Sequence, residues 1–347
     1  MTPYLNESNN QRRRSPRSGF TMIEMLVVIG ILALLASLSL MAFRGFIGNA
    51  RVTATQTTIV KIDELLHQRM EAFTRWIDSM HVEAPGRPEY VYDSDYSILG
   101  ATPGDVNFRD VAMVLARKNR YREFFPQRFS DIPTGGSFPP ASIPTHTADT
   151  ENAECLYYLI MKSQVYGIEP VEDGFFLSAE FGDTDDDGLM EFLDNWGNPI
   201  RFYRWPTRLL RPGTTTIEAQ TAGNYSVNLT LGAEVLISPV PQGDAQTQDP
   251  DDPNGFLPMA VAASGGSIVI DETTHHTLDT YHTPLIVSAG QDGSGPGGGG
   301  LGLYEPVNPT ATSTDEANFG PLAQPKLGEF GDLTDNITNL NSRVGGR

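Results

Sequence analysis

Glu24 places a carboxylate inside an apolar segment, and this position requires a chemical explanation. It is the only charged residue between positions 18 and 40, and residues 25–43 carry no charge at all. A helix of that length spans roughly 30 Å, the thickness of the hydrocarbon core of a bilayer. A carboxylate in such surroundings costs several kcal/mol unless it has a partner or a task. We therefore expect Glu24 to be a functional residue.

A second group of oxygen-bearing side chains lies in the segment DTDDDGLMEFLD, residues 183–194. Its carboxylates and its glycine have the spacing of a calcium-binding loop of the EF-hand type, in which glycine allows the sharp turn. Because no helical pattern precedes the loop, and Asp stands where an EF-hand has its last Glu, a true EF-hand is not expected. The alternative is an acidic, solvated turn. The predicted calcium ligands are Asp183, Asp185, Asp187, the backbone carbonyl of Leu189, Glu191 and Asp194.

A third cluster combines histidines with carboxylates. Adjacent histidines point to opposite sides of a strand, and the sequence contains no H-E-x-x-H, G-x-S-x-G or phosphate-binding glycine loop. We therefore predict polar loop residues here and no enzymatic activity. The cluster consists of Asp271, Glu272, His275, His276, Asp279 and His282.

The charge of the chain is unevenly distributed. Residues 1–19 have a net charge of +3, whereas the whole chain has −19, which leaves −22 from Phe20 onward. Nucleic acid is not expected as a partner, because phosphate binding requires clustered Lys and Arg. The basic leader predicts a cytoplasmic amino terminus and an acidic body on the other side of the membrane. The single cysteine, Cys155, excludes an intrachain disulfide and is expected to be buried.

A helical pattern continues beyond the apolar segment. Apolar residues recur at spacings of three and four through residues 59–77, with polar residues between them, as in an amphipathic helix. We predict one helix over about residues 20–80, whose second half needs a sheet to cover its apolar stripe; a coiled-coil stalk is the alternative. The stripe is Ile59, Ile62, Leu66, Met70, Phe73 and Ile77, and the expected solvent side is Lys61, Asp63, Glu64, Gln68, Arg69, Glu71 and Arg75.

Shorter elements follow. Residues 110–125 and 151–164 have the pattern of two short helices. Trp196-Gly197-Asn198-Pro199 predicts a turn that leads into a strand at 200–205, and residues 285–287 predict a second, buried strand. A further strand pair is expected within 225–240.

The start of the apolar segment resembles a known processing signal. Gly19-Phe20-Thr21-Met22-Ile23-Glu24, preceded by a basic leader, is similar to the motif of type IV prepilins and type II secretion pseudopilins. The resemblance implies that a prepilin peptidase cuts between Gly19 and Phe20 and that Phe20 is then N-methylated. The alternatives are a cleaved secretory signal ending near Ser37 and a plain single-span anchor.

The resemblance also supplies a partner for Glu24. Cleavage would make Glu24 the fifth residue of the mature chain, where its carboxylate can pair with the terminal amine of Phe20 on a neighbouring subunit. Such head-to-tail contacts build filaments rather than closed rings.

Two later segments resemble the major pseudopilin of type II secretion. These are DNWGNPIRFYRW at 194–205 and PLIVSAGQDG at 284–293; in that family the second motif precedes a calcium-binding loop. Here SGPGGGG follows and lacks acidic residues, so the resemblance leaves calcium either at 183–194 or near Asp292.

These observations predict an α+β, pilin-like fold, with a long N-terminal helix packed on a small antiparallel β-sheet and with large insertions. The predicted divisions are a leader peptide at 1–19, a transmembrane and assembly helix at 20–43, its amphipathic continuation at 44–80, an insertion with short helices and the acidic loop at 81–193, a pseudopilin-like β body at 194–307 and a polar, poorly ordered tail at 308–347.

The predicted function is that of a structural filament subunit of a type II secretion or type IV pilus machine. Its expected partners are other pilin-like subunits of the same or a different kind, the prepilin peptidase, the assembly machinery and the membrane, with calcium as its cofactor. The expected location is the bacterial inner membrane, with the body in the periplasm or outside the cell, or a surface filament. The alternative is a membrane-anchored binding or adhesion module.

Overall fold

Helices and short antiparallel strands make up the computed structural model, which confirms the predicted α+β class. It describes residues 20–80, 88–133, 138–140, 143, 146–165, 167–172, 174–206, 216–217, 229–230, 251–264, 284–292, 300–303 and 336–339. The helices are α1 Met22–Ser79, α2 Asp93–Ile98, α3 Arg109–Phe124, α4 Ala148–Met161 and α5 Phe256–Ala263. The strands are β1 Phe181–Gly182, β2 Glu191–Phe192, β3 Arg201–Tyr203, β4 Thr216–Ile217, β5 Leu229–Thr230, β6 Leu285–Ser288 and β7 Ile337–Thr338.

Helix α1 has the extent that the sequence predicts. Its second half buries the predicted stripe, with Ile59 and Ile62 completely inaccessible to solvent. Its first turns expose their apolar side chains; Met22 is 89% and Leu26 67% exposed. Among the residues that the structure describes, no helix combines the length and the hydropathy that a membrane crossing requires.

Two residues expected on the solvent side of α1 are buried instead. Arg69 is completely buried and donates hydrogen bonds to the carbonyls of Leu159 and Ile160 in α4. Asp63 is 5% exposed and accepts a hydrogen bond of 2.8 Å from Asn339 beside β7. Both residues lie next to the apolar stripe in helical spacing, so their polar groups have to find partners inside the protein.

The three-stranded sheet among the described strands is antiparallel and has the order β3-β6-β7, and its Phe202, Ile286 and Ile337 belong to the same hydrophobic core as the second half of α1. Arg201 pairs with Val287, and Val287 pairs on its other side with Thr338. The strands predicted at 200–205 and 285–287 are therefore confirmed as β3 and β6. The expectation of a poorly ordered tail is corrected at β7, because its buried Ile337 and Thr338 complete the sheet.

The remaining strands form two-stranded ladders. Strands β1 and β2 flank the acidic loop and pair through Phe181 and Phe192. Strands β4 and β5 pair antiparallel. Strand β5 falls within the segment 225–240 predicted to hold a strand pair, whereas β4 precedes that segment.

Helices α3 and α4, at the two positions predicted, pack in the same core as the second half of α1. Leu115 of α3 and Leu156 of α4 are fully buried. Asn152 of α4 exchanges two hydrogen bonds of 2.5 Å with the backbone of Phe202 in β3. Residues 51–347 form one compact unit and residues 1–50 another. The helices at 81–193 thus belong to the core of the larger unit.

Candidate functional site

The start of α1 is the first candidate site, and its geometry is that of a capping box. The backbone N–H and the hydroxyl of Thr21 donate to Glu24 Oε2 at 2.7 and 2.8 Å. The N–H of Glu24 donates to the Thr21 hydroxyl at 3.3 Å. This reciprocal pair satisfies free donors of the first helical turn. Glu24 Oε1 has no hydrogen bond among the described residues.

The surroundings of Glu24 are apolar and exposed. Phe20 is 79% exposed and Ile23 72% exposed. Gly19, the predicted residue before the cleavage point, lies outside the described residues. A carboxylate in this position is thus available to another molecule.

The acidic loop between β1 and β2 is the second candidate site, and its backbone turns as the spacing predicts. The N–H groups of Asp187 and Gly188 donate to the Asp183 carboxylate at 3.1 and 2.8 Å. The N–H of Leu189 donates to Asp187 Oδ1 at 2.7 Å. Gly188 has a φ of 92°, a left-handed conformation that favours glycine. The loop therefore wraps its backbone around its own first carboxylate.

Four of the five predicted acidic ligands come together in this loop, and two further residues join them. Oxygens of Asp183, Asp185 and Glu191 lie within 4.8 Å of one another. In a second group Asp185 and Asp187 meet a histidine that precedes α4 and a glutamate within α4, again within 4.8 Å. The added residues are His146 and Glu154.

Asp194, the fifth predicted acidic ligand, lies in neither group. Its Oδ1 accepts the N–H groups of Trp196 and Asn198, and its Oδ2 accepts the amide of Asn198 at 3.1 Å and the hydroxyl of Ser288 at 2.7 Å. Both oxygens are therefore used to shape the predicted turn and to attach it to β6. Asp194 thus lies apart from the two acidic groups, and its role as a calcium ligand stays a prediction.

The loop is fixed to the first turn of α4 through Asp185. Asp185 Oδ2 accepts hydrogen bonds from the backbone N–H of Thr147 at 2.9 Å and from the hydroxyls of Thr147 and Thr150. A negative charge is favoured at this end of a helix, where backbone N–H groups are free. A neighbouring contact joins His146 Nδ1 to Asp187 Oδ2 at 3.0 Å.

Several oxygens of the cluster are buried without a hydrogen-bond partner among the described residues. They are both carboxylate oxygens of Glu154, Oδ1 of Asp185 and Oε1 of Glu191. Thr150 lies beside Glu154, but its hydroxyl has only one proton. The Thr147 carbonyl at 2.8 Å and Asp185 at 3.0 Å compete for that proton.

Burial and mutual repulsion change the acidity of two of these groups. Burial, aided by the charges of Asp187, Glu191 and Asp185, raises the pKa of Glu154 to about 9 against the opposing effect of Thr150. Burial, aided by the charges of Asp185, Asp183 and Asp187, likewise raises the pKa of Glu191 to about 8 against the N–H of Thr184. The cluster thus holds more negative charge than its donors compensate.

Sequence reasoning missed the contributions of His146 and Glu154. His146 has no ligand spacing to the loop, and Glu154 lies in the middle of a helix. The Thr21-x-x-Glu24 capping box was readable from its S/T-x-x-E pattern. The histidine cluster at 271–282 and the side chain of Asp292 lie outside the described residues.

Comparison with known proteins bears on the first candidate site. A family model described as the prokaryotic N-terminal methylation motif matches residues 14–40. No curated protein and no solved structure matches the chain. The match includes Gly19, Phe20 and Glu24, and it confirms the resemblance to type IV pilin-like and pseudopilin precursors.

Proposed function

We propose that this protein is a structural subunit of a pilin-like filament, of the kind built by type II secretion and type IV pilus machines. The observation that carries the proposal is the methylation-motif match on residues 14–40, where α1 begins. In this proposal the prepilin peptidase removes residues 1–19 and Phe20 becomes the methylated amino terminus. Residues 20–43 hold the subunit in the bacterial inner membrane before assembly.

The exposed apolar start of α1 supports an assembly role. Side chains such as Met22 and Leu26 are more than half exposed, and contiguous apolar surface of this kind is stable only when lipid or protein covers it. In a filament, the same segments of neighbouring subunits cover one another. When these segments move from lipid into such a bundle, the charge of Glu24 must be compensated by a partner.

The capping box is compatible with this compensation. Its bonds engage Glu24 Oε2, so Oε1 can accept a hydrogen bond from the terminal amine of Phe20 on the next subunit. One carboxylate then caps its own helix and fixes the axial position of a neighbour. An ion pair in apolar surroundings gives strong register because a shift would leave two charges unpaired.

Substitution of Glu24 separates these two roles. Glu24→Gln retains a side chain that can complete the capping box but removes the charge, whereas Thr21→Ala removes cap hydrogen bonds but keeps the charge. We expect Glu24→Gln to be inserted and processed but to be lost from filaments, and Thr21→Ala to assemble. Both subunits are measured by immunoblots of sheared filaments and of membranes.

Assembly of Glu24→Gln at the level of the parent would contradict the proposed pairing with Phe20. Loss of assembly in both variants would show that filament entry needs the capping box as well as the charge of Glu24. The anchored binding module would be favoured if the parent chain is processed but remains in the membrane of a strain that has a functional secretion or pilus machine.

A further inference from the structure

The strongest unexplained feature outside α1 is the set of buried oxygens between the acidic loop and α4. Glu154 is 1% exposed and Glu191 is completely buried. Glu154 and Glu191 belong to two groups of possible ligands that share Asp185, and each of the three residues has at least one buried oxygen without a hydrogen-bond partner among the described residues. A buried polar atom without a partner costs about 1–3 kcal/mol, so a cluster of them indicates a missing positive group.

The distances in the cluster suit a bound ion. Calcium holds its oxygen ligands at 2.3–2.6 Å, so two oxygens on one ion can be up to about 5 Å apart. The members of each group lie within 4.8 Å of one another. Asp185 belongs to both groups and therefore marks the centre of the cluster.

The ligand chemistry favours a hard cation. The unpartnered atoms of the acidic residues and of the neighbouring Thr184 are all oxygens, which suit calcium better than the softer metals that imidazole prefers. Both ring nitrogens of His146 are already next to carboxylates, Nδ1 at 3.0 Å from Asp187 and 3.6 Å from Glu154, and Nε2 at 3.3 Å from Glu151. His146 therefore acts as a partner of the carboxylates beside the ion.

We propose that a calcium ion binds between the acidic loop and α4, with Asp183, Asp185 and Glu191 as loop ligands. Glu154 of α4 takes the ligand position that the loop pattern assigns to Asp194. The ion joins a loop to a helix that packs on β3. None of its proposed ligands lies in residues 1–50, so the site can be tested without filament assembly.

Calcium removal from the full-length chain in detergent tests the site. The melting temperature is measured in calcium chloride and in chelator for the parent and for Glu154→Gln. We expect calcium to raise the melting temperature of the parent by about 5 °C at a hundredfold excess over Kd. Glu154→Gln should weaken calcium binding at least about tenfold and should melt higher than the parent in chelator, because a neutral amide costs less to bury among these carboxylates than a carboxyl group does.

Asp186→Asn is the matched control, since Asp186 lies in the same loop but in neither group. Its φ of 59° is one that Asn tolerates. This variant should keep the calcium response of the parent. Glu191→Gln provides a second ligand variant of unchanged shape and should weaken calcium binding as Glu154→Gln does.

Two results would overturn the proposal. One is a calcium response in Glu154→Gln equal to that of the parent, which would remove α4 from the site. The other is stabilisation of the parent by zinc or manganese but not by calcium, which would make His146 a ligand.

Discussion

Burial and hydrogen bonding act in opposite directions on the carboxylate of Glu180. Burial acts to raise its pKa, but hydrogen bonds from Lys61, from the N–H of Leu177 and from Thr58 outweigh this effect and lower it. Lys61 Nζ lies 2.9 and 3.0 Å from the two oxygens, and the Thr58 hydroxyl lies 2.7 Å away. This single residue therefore ties the second half of α1 to the segment before β1.

The lowered pKa predicts a specific loss of stability in acid. A carboxyl group with a lower pKa in the folded state stabilises the protein above its unfolded pKa, and this contribution disappears as the pH falls through the folded pKa. Glu180→Gln should cost about 1–3 kcal/mol near pH 7 and less near pH 3, because the contribution of the carboxylate declines as the pH falls below the ordinary pKa of a glutamate. Denaturant unfolding at the two pH values measures the difference.

Glu71→Gln is the control for that experiment, because Glu71 is exposed on the same helix. It should change the free energy of unfolding by less than about 0.5 kcal/mol at either pH. The account of Glu180 fails if Glu180→Gln destabilises the protein equally at both pH values.

At the scale of elements, α1 binds the last turn of α4 through Arg69. The guanidinium of Arg69 donates to Leu159 O at 3.1 Å and to Ile160 O at 2.7 Å. These carbonyls lie at the C-terminal end of α4, where a positive charge is favourable. Burial lowers the pKa of Arg69 to about 10, so the side chain stays charged near neutral pH. The two ends of α4 are thus fixed by opposite charges, Arg69 at one and Asp185 at the other.

Replacement of Arg69 tests this contact between helices. Arg69→Met keeps much of the buried apolar stem but removes the donors, and it should lower the free energy of unfolding by about 1–3 kcal/mol. Arg75→Met removes an exposed arginine from the same helix and should change it by less than about 0.5 kcal/mol. Urea unfolding followed by circular dichroism compares them, and equal effects would contradict a capping role for Arg69.

At the scale of the whole molecule, the chain combines an amino-terminal unit at 1–50 with a compact unit at 51–347. The charge changes sign between the leader and the rest, from +3 in residues 1–19 to −22 beyond. The amino-terminal unit carries the processing motif, and the larger unit carries the acidic cluster. Processing and cation binding can therefore be tested separately.

The parts of this fold that could be predicted are those with a regular local pattern in the sequence. The extents of α1, α3, α4, β3 and β6 follow from local periodicity and turn residues. Arg69 was assigned to the solvent side by its charge, although its spacing from Leu66 and Phe73 places it on the buried side. Charge alone is a poor guide where a buried partner exists.

The candidate cation site was only partly predictable, for a similar reason. Spacing within the loop identified Asp183, Asp185, Asp187 and Glu191, but it could not show that a turn engages Asp194. Glu154 joins the cluster only after α4 packs beside the loop. Contacts between distant segments leave no spacing signal in one sequence.

Mass spectrometry of the mature amino terminus tests the central claim most directly. The protein is purified from a bacterial host that contains a prepilin peptidase, and its amino-terminal peptide is sequenced. We predict a chain that begins at Phe20 and carries an N-methyl group on that residue. An intact segment 1–19, or a chain that begins near Ser37, would contradict the account.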